Sequence, residues 1–262
     1  MLALVIVGGV IYSPPQIIGV VLGIFLIIAG WEWAALARVD ATPRRLIFTL
    51  LVAALAGLVW FWDGRSEFYI YACAVGVFWW VLATAFIVLA QRQKLGPRIH
   101  FANRPVIGVF VLSVAWSAVV WLLLNDTAML LGLFYLVWIA DAAAFFVGRR
   151  WGSRRLASNL SPGKSWEGAA GGLAFATFGA IFFASLLELP GRAVGAFVIV
   201  AMITVCASVV GDLFESVLKR NTGLKDSGQI LPGHGGVLDR IDGFVAAAPV
   251  FVAGLHGWVD QV

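Results

Sequence analysis

Long apolar runs recur along the whole chain, and they limit its possible folds more than any other feature. They lie near residues 2–12, 15–37, 46–62, 68–90, 104–124, 128–148, 167–187, 193–213 and 243–259. Most of them approach the roughly 20 residues that an α-helix needs to cross the hydrocarbon core of a bilayer. Backbone polar groups in that core must be satisfied within the chain, so such runs fold as helices. The sequence therefore predicts an all-α, polytopic integral membrane protein with about nine transmembrane helices.

The composition agrees with a chain that lies mostly in a membrane. Hydrophobic residues make up 61% of the 262 residues and charged residues only 12%, whereas soluble domains contain about 25% charged residues. The mean hydropathy is +0.96. The first apolar run is short and meets Pro14 and Pro15, and proline interrupts a helix. The first two runs are therefore expected to form either a hairpin or one interrupted helix.

Tryptophans lie mostly near the ends of the apolar runs, as at Trp31, Trp33, Trp60 and Trp62. Tryptophan is enriched where a transmembrane helix meets the headgroup region. We therefore expect these residues to form an interfacial belt that has no part in the chemistry.

The basic residues fall almost entirely on alternate loops. One side of the predicted topology contains 16 of the 18 Lys and Arg residues, in loops 38–45, 91–103, 149–166 and 214–242 and at the span boundary residue Arg104. Loops rich in Lys and Arg stay in the cytoplasm, so this side is predicted to be cytoplasmic. The net charge of +4 suits the anionic headgroups of a lipid bilayer. A nucleic-acid partner is not expected, because the loops lack interleaved aromatic and basic residues.

The most polar stretch of the chain runs from Ser216 to Asp242. It contains four basic residues, three aspartates, one histidine and five glycines. Glycine lets the backbone approach a ligand closely, and successive N–H groups in such a loop can form an anion-binding nest. An ordinary charged loop with helix caps and ion pairs is the alternative. Fixed positive charge suited to phosphate comes from Lys219, Arg220, Lys225 and Arg240.

Carboxylates accompany this basic stretch. Asp239 and Asp242 are three residues apart, so a helix that begins just ahead of them would place both on one face. Asp212 lies shortly before the stretch, at the end of an apolar run. Mg²⁺ prefers one or two carboxylates together with phosphate oxygens, so the mixture predicts Mg²⁺ that grips a phosphorylated substrate. The alternative for Asp239 is an ion pair with Arg240 or Lys219.

Two further stretches place polar groups in or beside the membrane. Asp141 lies well inside the sixth apolar run, where an ionisable group is costly and marks a functional candidate. Packing against a neighbouring helix is the alternative for Asp141. In the loop before the seventh run, Ser161, Lys164 and Ser165 offer phosphate-binding groups at a helix N-terminus. Ser165 or Ser161 can equally be a plain N-cap, with Glu167 in the first turn.

Three motifs formed by these residues resemble the CDP-diacylglycerol synthases, also called phosphatidate cytidylyltransferases. The longest is met at unbroken spacing by Ser216, Lys219, Arg220, Lys225, Asp226, Gly228, Leu231, Pro232, His234, Gly235, Gly236, Asp239, Arg240 and Asp242. An Asp–x–x–Ala–aromatic–x–x–Gly pattern is met by Asp141, Ala144, Phe145 and Gly148. A Ser–Pro–x–Lys–Thr/Ser–x–Glu–Gly pattern is met by Ser161, Pro162, Lys164, Ser165, Glu167 and Gly168.

The resemblance covers residues from about 138 to 243, while the first half of the chain matches only as hydrophobic helices. Ala140 stands where many members carry a polar residue, and Phe145 stands where tyrosine is frequent. These two departures concern fine substrate contacts and leave the reaction unaffected. We expect N-terminal helices over 1–124 and a C-terminal catalytic region over 125–262, together in one integrated domain.

The resemblance implies transfer of a cytidylyl group from CTP to phosphatidic acid, which gives CDP-diacylglycerol and pyrophosphate. The phosphatidate phosphate is already an anionic nucleophile, so catalysis requires positioning and charge neutralisation. The catalytic residues that it implies are Asp212, Lys219, Lys225, Asp239 and Asp242, with Asp212, Asp239 and Asp242 around Mg²⁺. The substrate-binding residues would be Asp141, Ser161, Lys164, Ser165, Arg220, His234 and Arg240.

The expected setting is the bacterial inner membrane, with the active-site loops in the cytoplasm, where CTP is available. His234 can alternatively be structural, and a second metal or monovalent ion and a homodimer stay open. Two other classes of protein also stay open. An ion-coupled transporter builds sites from intramembrane carboxylates and broken helices. A CDP-alcohol phosphatidyltransferase also uses membrane aspartates, but its Asp–Gly–x2–Ala–Arg opening is absent from the sequence.

Overall fold

The computed structural model describes residues 2–62, 67–92, 103–230, 233 and 235–259. Within these residues the chain forms nine α-helices, one β-hairpin and a short π-helix at Leu255–Val259. The helices are α1 (Leu2–Tyr12), α2 (Pro15–Leu36), α3 (Thr42–Phe61), α4 (Phe68–Arg92), α5 (Arg104–Asn125), α6 (Thr127–Trp151), α7 (Trp166–Leu186), α8 (Gly191–Thr222) and α9 (Leu238–Gly254). The hairpin strands are β1 (Arg155–Ala157) and β2 (Ser161–Ser165).

The helices follow the predicted apolar runs closely, and the polytopic helical fold is confirmed. Seven of the described helices, α2 to α8, are long and apolar enough to cross a membrane. The remaining two, α1 and α9, have 11 and 17 residues. The first two runs form α1 and α2, with a break between them, and α2 begins at Pro15. Proline is favoured in the first helical turn, where its missing N–H has no intrahelical partner to lose.

The structure departs from the predicted loops in two places. Helix α8 continues for 32 residues to Thr222, beyond the predicted end at residue 213, so the first part of the polar stretch is helical. Glu215 and Ser216 are buried in these added turns, because other helices cover this end of α8. The second departure is the antiparallel hairpin of β1 and β2, in which Arg155 pairs with Ser165. This hairpin forms in the segment before α7 that was predicted to be a loop.

Small residues bring α6 and α7 into close contact. A Cβ atom built on Gly172 would lie 2.8 Å from the carbonyl oxygen of Ala140. One built on Gly168 would lie 2.8 Å from the carbonyl oxygen of Ala144. Such small residues let two membrane helices approach at their backbones. Ala140, one of the two departures from the family pattern, is therefore a packing residue in this chain.

Hydrogen bonds between residues far apart in the sequence join the end of α2 to the end of α8 and to the start of α5. Arg38, just after α2, donates to the carbonyl oxygen of Asn221 near the end of α8, at 2.8 Å. Trp33 Nε1 donates to the carbonyl oxygen of Arg104 at the start of α5, at 3.1 Å. Trp33 is only 2% exposed, so its side chain packs inside the helix bundle, whereas a residue of an interfacial belt would face the headgroups. The Trp33 indole N–H finds a partner inside the protein, as buried tryptophans require.

Candidate active site

A cavity of about 470 Å³ lies between α2, α5, α6, α8 and α9, with α1 at its edge. Its wall contains both charged and apolar side chains. The apolar side chains include Leu22, Phe25, Trp116, Trp138 and Phe244. The charged side chains are Asp141, Asp212, Asp239, Arg240 and Asp242. The cavity can therefore receive a molecule that has both a polar head and an apolar body.

The carboxylates of this cavity come from three different helices. Asp141 lies on α6, Asp212 on α8 and Asp242 on α9. Asp141 is exposed and lines the cavity. The structure thus brings together three aspartates that are far apart in the sequence. Asp242 Oδ1 accepts a hydrogen bond from the backbone N–H of Gly243 at 2.7 Å.

Lys164 joins the hairpin to this cavity. Its ammonium group forms an ion pair with Asp212, and the two side chains are 27% and 34% exposed. The predicted phosphate-binding loop before α7 therefore reaches the carboxylates that were predicted separately. Both partners remain partly exposed, so the pair can rearrange when an anionic group enters.

Asp239 has a different environment from the other cavity aspartates. Its Oδ1 accepts from the ammonium group of Lys219 at 2.8 Å. Its Oδ2 accepts from the backbone N–H of Ser227 at 3.0 Å and from that of Gly236 at 2.8 Å. The ion pair with Lys219 is the alternative that the sequence left open for Asp239. Lys219 is also 3.3 Å from Glu215, so it lies between two acidic side chains.

The remaining predicted residues have more varied positions. Arg220 Nε donates to the carbonyl oxygen of Leu160 at 3.2 Å, which ties α8 to the turn of the hairpin. Arg240 lines the cavity. Lys225 is exposed and has no hydrogen bond to other residues in the described part of the chain. His234 lies outside the described residues.

The two predicted serines of the hairpin have structural positions. Ser165 is the N-cap of α7 and accepts from the backbone N–H of Gly168 at 3.1 Å. The plain N-cap that the sequence left open for Ser165 is therefore confirmed. Ser161 begins β2 and is half-buried. Glu167, in the first turn of α7, accepts from the hydroxyl of Ser153 at 2.6 Å.

Two buried carboxylates were not predicted from the sequence. Glu32 on α2 is 1% exposed and Glu215 on α8 is 2% exposed. An ionisable residue inside an apolar run is a functional candidate by default, and this rule would have found Glu32. Glu215 lies where α8 was predicted to have ended, so no helical position suggested its burial.

The oxygen donors of the cavity fit Mg²⁺. Within the described residues, no three His, Cys, Asp or Glu side chains lie close enough together to hold a metal ion between them. Mg²⁺ does not require such a group, because it is commonly held by one or two carboxylates while substrate phosphates and water complete its shell. Asp141, Asp212 and Asp242 offer such carboxylates. The predicted role of Asp239 as a metal ligand stays a prediction, and both of its oxygens already accept hydrogen bonds.

The fold and the cavity define an integral membrane protein with a carboxylate-lined, partly apolar site. A model of the cytidylyltransferase family matches residues 1–257. Over 257 residues the chain is 36% identical to a phosphatidate cytidylyltransferase of Pseudomonas aeruginosa, which covers 96% of this chain and 93% of that protein. It is 34% identical to the Haemophilus influenzae phosphatidate cytidylyltransferase, over 90% of this chain and 89% of that protein. The chain belongs to the cytidylyltransferase family.

Proposed function

We propose that the chain is a membrane-embedded phosphatidate cytidylyltransferase, which converts CTP and phosphatidic acid to CDP-diacylglycerol and pyrophosphate in phospholipid biosynthesis. The observation that carries this proposal is the cavity, whose lining combines charged and apolar side chains in a member of the cytidylyltransferase family. Phosphatidic acid has the same combination, with a phosphate head and acyl chains. The relatives provide no support for a transporter or a CDP-alcohol phosphatidyltransferase.

The reaction is a substitution at the α-phosphorus of CTP. A phosphate oxygen of phosphatidic acid forms the new bond, the α–β phosphoanhydride bond breaks, and pyrophosphate leaves with the electron pair. Both substrates are polyanions, so the protein must lower their repulsion and hold the reacting atoms in line. Lys164 is paired with Asp212, and Arg240 lines the cavity. We assign them to the substrate phosphates.

We also propose that Asp212 and Asp242, with Asp141 beside them, hold Mg²⁺. When bound, Mg²⁺ would neutralise negative charge on the triphosphate. Lys164, now paired with Asp212, would then move to a phosphate oxygen. Lys219 and Arg220 are already held by Asp239 and by the carbonyl oxygen of Leu160. We assign these two residues to positioning of the site.

The proposed location is the bacterial inner membrane, with the loops between α2 and α3, α6 and α7, and α8 and α9 in the cytoplasm. The long apolar helices and the bacterial relatives support the membrane. The unequal distribution of Lys and Arg between alternate loops supports the orientation. This orientation would place the charged side chains of the cavity on the side where CTP is available.

The test is CTP-dependent release of pyrophosphate by the purified protein in detergent micelles that contain phosphatidic acid. We expect release to require both substrates, to produce CDP-diacylglycerol in equal amount, and to stop with a chelator until Mg²⁺ is returned. Lys164→Ala should lower the rate, while Arg192→Ala, outside the cavity, should not. Absence of pyrophosphate release from a folded preparation would refute the proposal. Release of CMP from CDP-diacylglycerol with an alcohol acceptor would indicate the phosphatidyltransferase.

A further inference from the structure

A carboxylate from the N-terminal half of the chain is buried against the loop between α8 and α9. Glu32 Oε2 accepts from the backbone N–H of Leu238 at 2.7 Å and from the hydroxyl of Ser227 at 3.2 Å. Glu32 Oε1 accepts from the backbone N–H of Val237 at 3.1 Å. Both carboxylate oxygens are therefore used, and every donor belongs to the same short segment.

These bonds cap α9 from outside the helix. The first N–H groups of a helix have no intrahelical partner and need another acceptor. The residue at the N-cap position of α9 is Val237, whose side chain makes no capping hydrogen bond, because valine has no polar atom. Glu32 on α2 supplies the acceptor, and its negative charge is favourable at a helix N-terminus. The start of α9 is thus fixed by a residue more than 200 positions earlier.

The same carboxylate contacts both ends of the loop between α8 and α9. Ser227 lies at one end of the loop and Gly236 at the other, and Asp239 accepts hydrogen bonds from the backbone N–H of both. Glu32 accepts from the Ser227 hydroxyl and lies against Gly236. A Cβ atom on Gly236 would lie 2.6 Å from Glu32 Oε2, and one on Gly228 would also overlap the Glu32 carboxylate. Glycine at both positions lets the backbone close around Glu32.

We propose that Glu32 is a positioning residue for cytidylyl transfer. It fixes the first turn of α9, and the start of this helix carries Arg240 and Asp242, which line the cavity. The N-terminal helices would therefore take part in the reaction by orienting the start of α9. The kinetic part of this inference depends on the proposed function, whereas the structural part does not.

Glu32→Gln is the sharpest test, because it changes the shape of the side chain very little. A glutamine has one oxygen acceptor, so its NH₂ group must face the backbone N–H of either Val237 or Leu238. One helical N–H then loses its acceptor. Hydrogen exchange should become faster in peptides covering 225–240 and stay unchanged in α6 and α7. We expect kcat/KM for CTP to fall by about 10- to 100-fold, as for loss of a residue that orients a ligand group.

Glu67→Gln is the matched control, since it makes the same chemical change at an exposed position and should leave exchange and turnover unchanged. Glu32→Asp keeps the charge and both acceptor oxygens, so it should retain more activity than Glu32→Gln. Unchanged exchange over 225–240 in Glu32→Gln would overturn the proposal, as would wild-type kcat/KM with faster exchange.

If Glu32→Gln does not fold, Ser227→Ala decides the matter, because it removes one donor and leaves Glu32 in place. Faster exchange over 225–240 together with a lower kcat/KM for CTP would support the proposal, and wild-type exchange or wild-type kcat/KM would overturn it. A wild-type protein without pyrophosphate release would refute the proposed function. The exchange measurements would still decide whether Glu32 holds the loop.

Discussion

Asp239 and Asp242 lie one helical turn apart on α9, but their surroundings give them different tasks. Asp239 accepts hydrogen bonds from Lys219, Ser227 and Gly236. Asp242 accepts one from the adjacent Gly243 and lines the cavity together with Asp212. The spacing of the two aspartates predicted a shared face. It did not predict that the loop folds back onto one of them.

Asparagine substitutions should separate these two tasks. Asp239→Asn places an NH₂ group against Lys219 or a backbone N–H, and an unsatisfied buried donor costs about 1–3 kcal/mol. We expect a lower free energy of unfolding and reduced turnover, without a change in the Mg²⁺ requirement. Asp242→Asn keeps an acceptor for Gly243 and gains an amide that can donate to Glu215, the other hydrogen-bond partner of Asp242, so it should fold normally and lose turnover. Thermal unfolding and Mg²⁺ titrations of pyrophosphate release measure both effects.

The opposite outcome for Asp239 would restore the assignment made from the sequence. If Asp239→Asn has normal stability and needs more Mg²⁺, Asp239 is a metal ligand as its spacing predicted. Normal turnover in Asp242→Asn, at an unchanged Mg²⁺ concentration, would remove Asp242 from the metal site. Asp212→Asn should resemble Asp242→Asn, because Asp212 lines the same cavity.

At the scale of helices, the contact between α8 and α9 sets the distance between the carboxylates of Asp212 on α8 and Asp242 on α9. Gly211 lies directly before Asp212, and a Cβ atom on it would overlap the carbonyl oxygen of Asp242. That atom would also lie 3.0 Å from the Cβ of Ala246. The site therefore depends on a close approach of two backbones, which only glycine permits here.

Gly211→Ala should push α8 away from α9. Overpacking of this kind costs about 1–3 kcal/mol, and the displaced Asp212 should lower kcat/KM for CTP. Gly195→Ala is the matched control on the same helix, because nothing lies within 4 Å of its added Cβ atom. It should leave turnover unchanged. Equal unfolding midpoints and rates for both variants would show that the contact is not tight.

The positions of the helices were predictable from the sequence, whereas the contacts at the polar ends of α8 and α9 were not. Apolar runs indicate where a helix must cross a bilayer, and α2 to α7 lie close to those runs. The last turns of α8 contain Glu215 and Lys219, whose burial depends on α9 and the loop beside it. The cap on α9 comes from α2. Such pairings between distant residues leave no pattern in a single sequence.

At the scale of the whole molecule, the family motifs lie in the second half of the chain, but the family model extends over residues 1–257. The first half showed no motif because its contribution rests on single residues among apolar helices. Glu32 holds the α9 N-terminus, and Trp116 lines the cavity. The aspartates of the site were predictable because ionisable residues are rare and costly in a membrane.

The orientation of the whole bundle gives the last prediction. Ser158, in the hairpin turn, and Arg192, in the first turn of α8, are both exposed and are separated by α7. Helix α7 has 21 residues, which at about 1.5 Å per residue is long enough to cross a bilayer core. We therefore expect single cysteines at these two positions to lie on opposite sides of the membrane.

The measurement uses Ser158→Cys and Arg192→Cys in a background that lacks Cys73 and Cys206. An impermeant thiol reagent added to intact spheroplasts should label Arg192→Cys alone, because the basic loops are expected to remain in the cytoplasm. Permeabilised cells should label both, which controls for access. Labelling of both cysteines in intact cells would mean that α7 does not cross the bilayer. Labelling of Ser158→Cys alone would place the charged side chains of the cavity outside the cytoplasm, away from CTP.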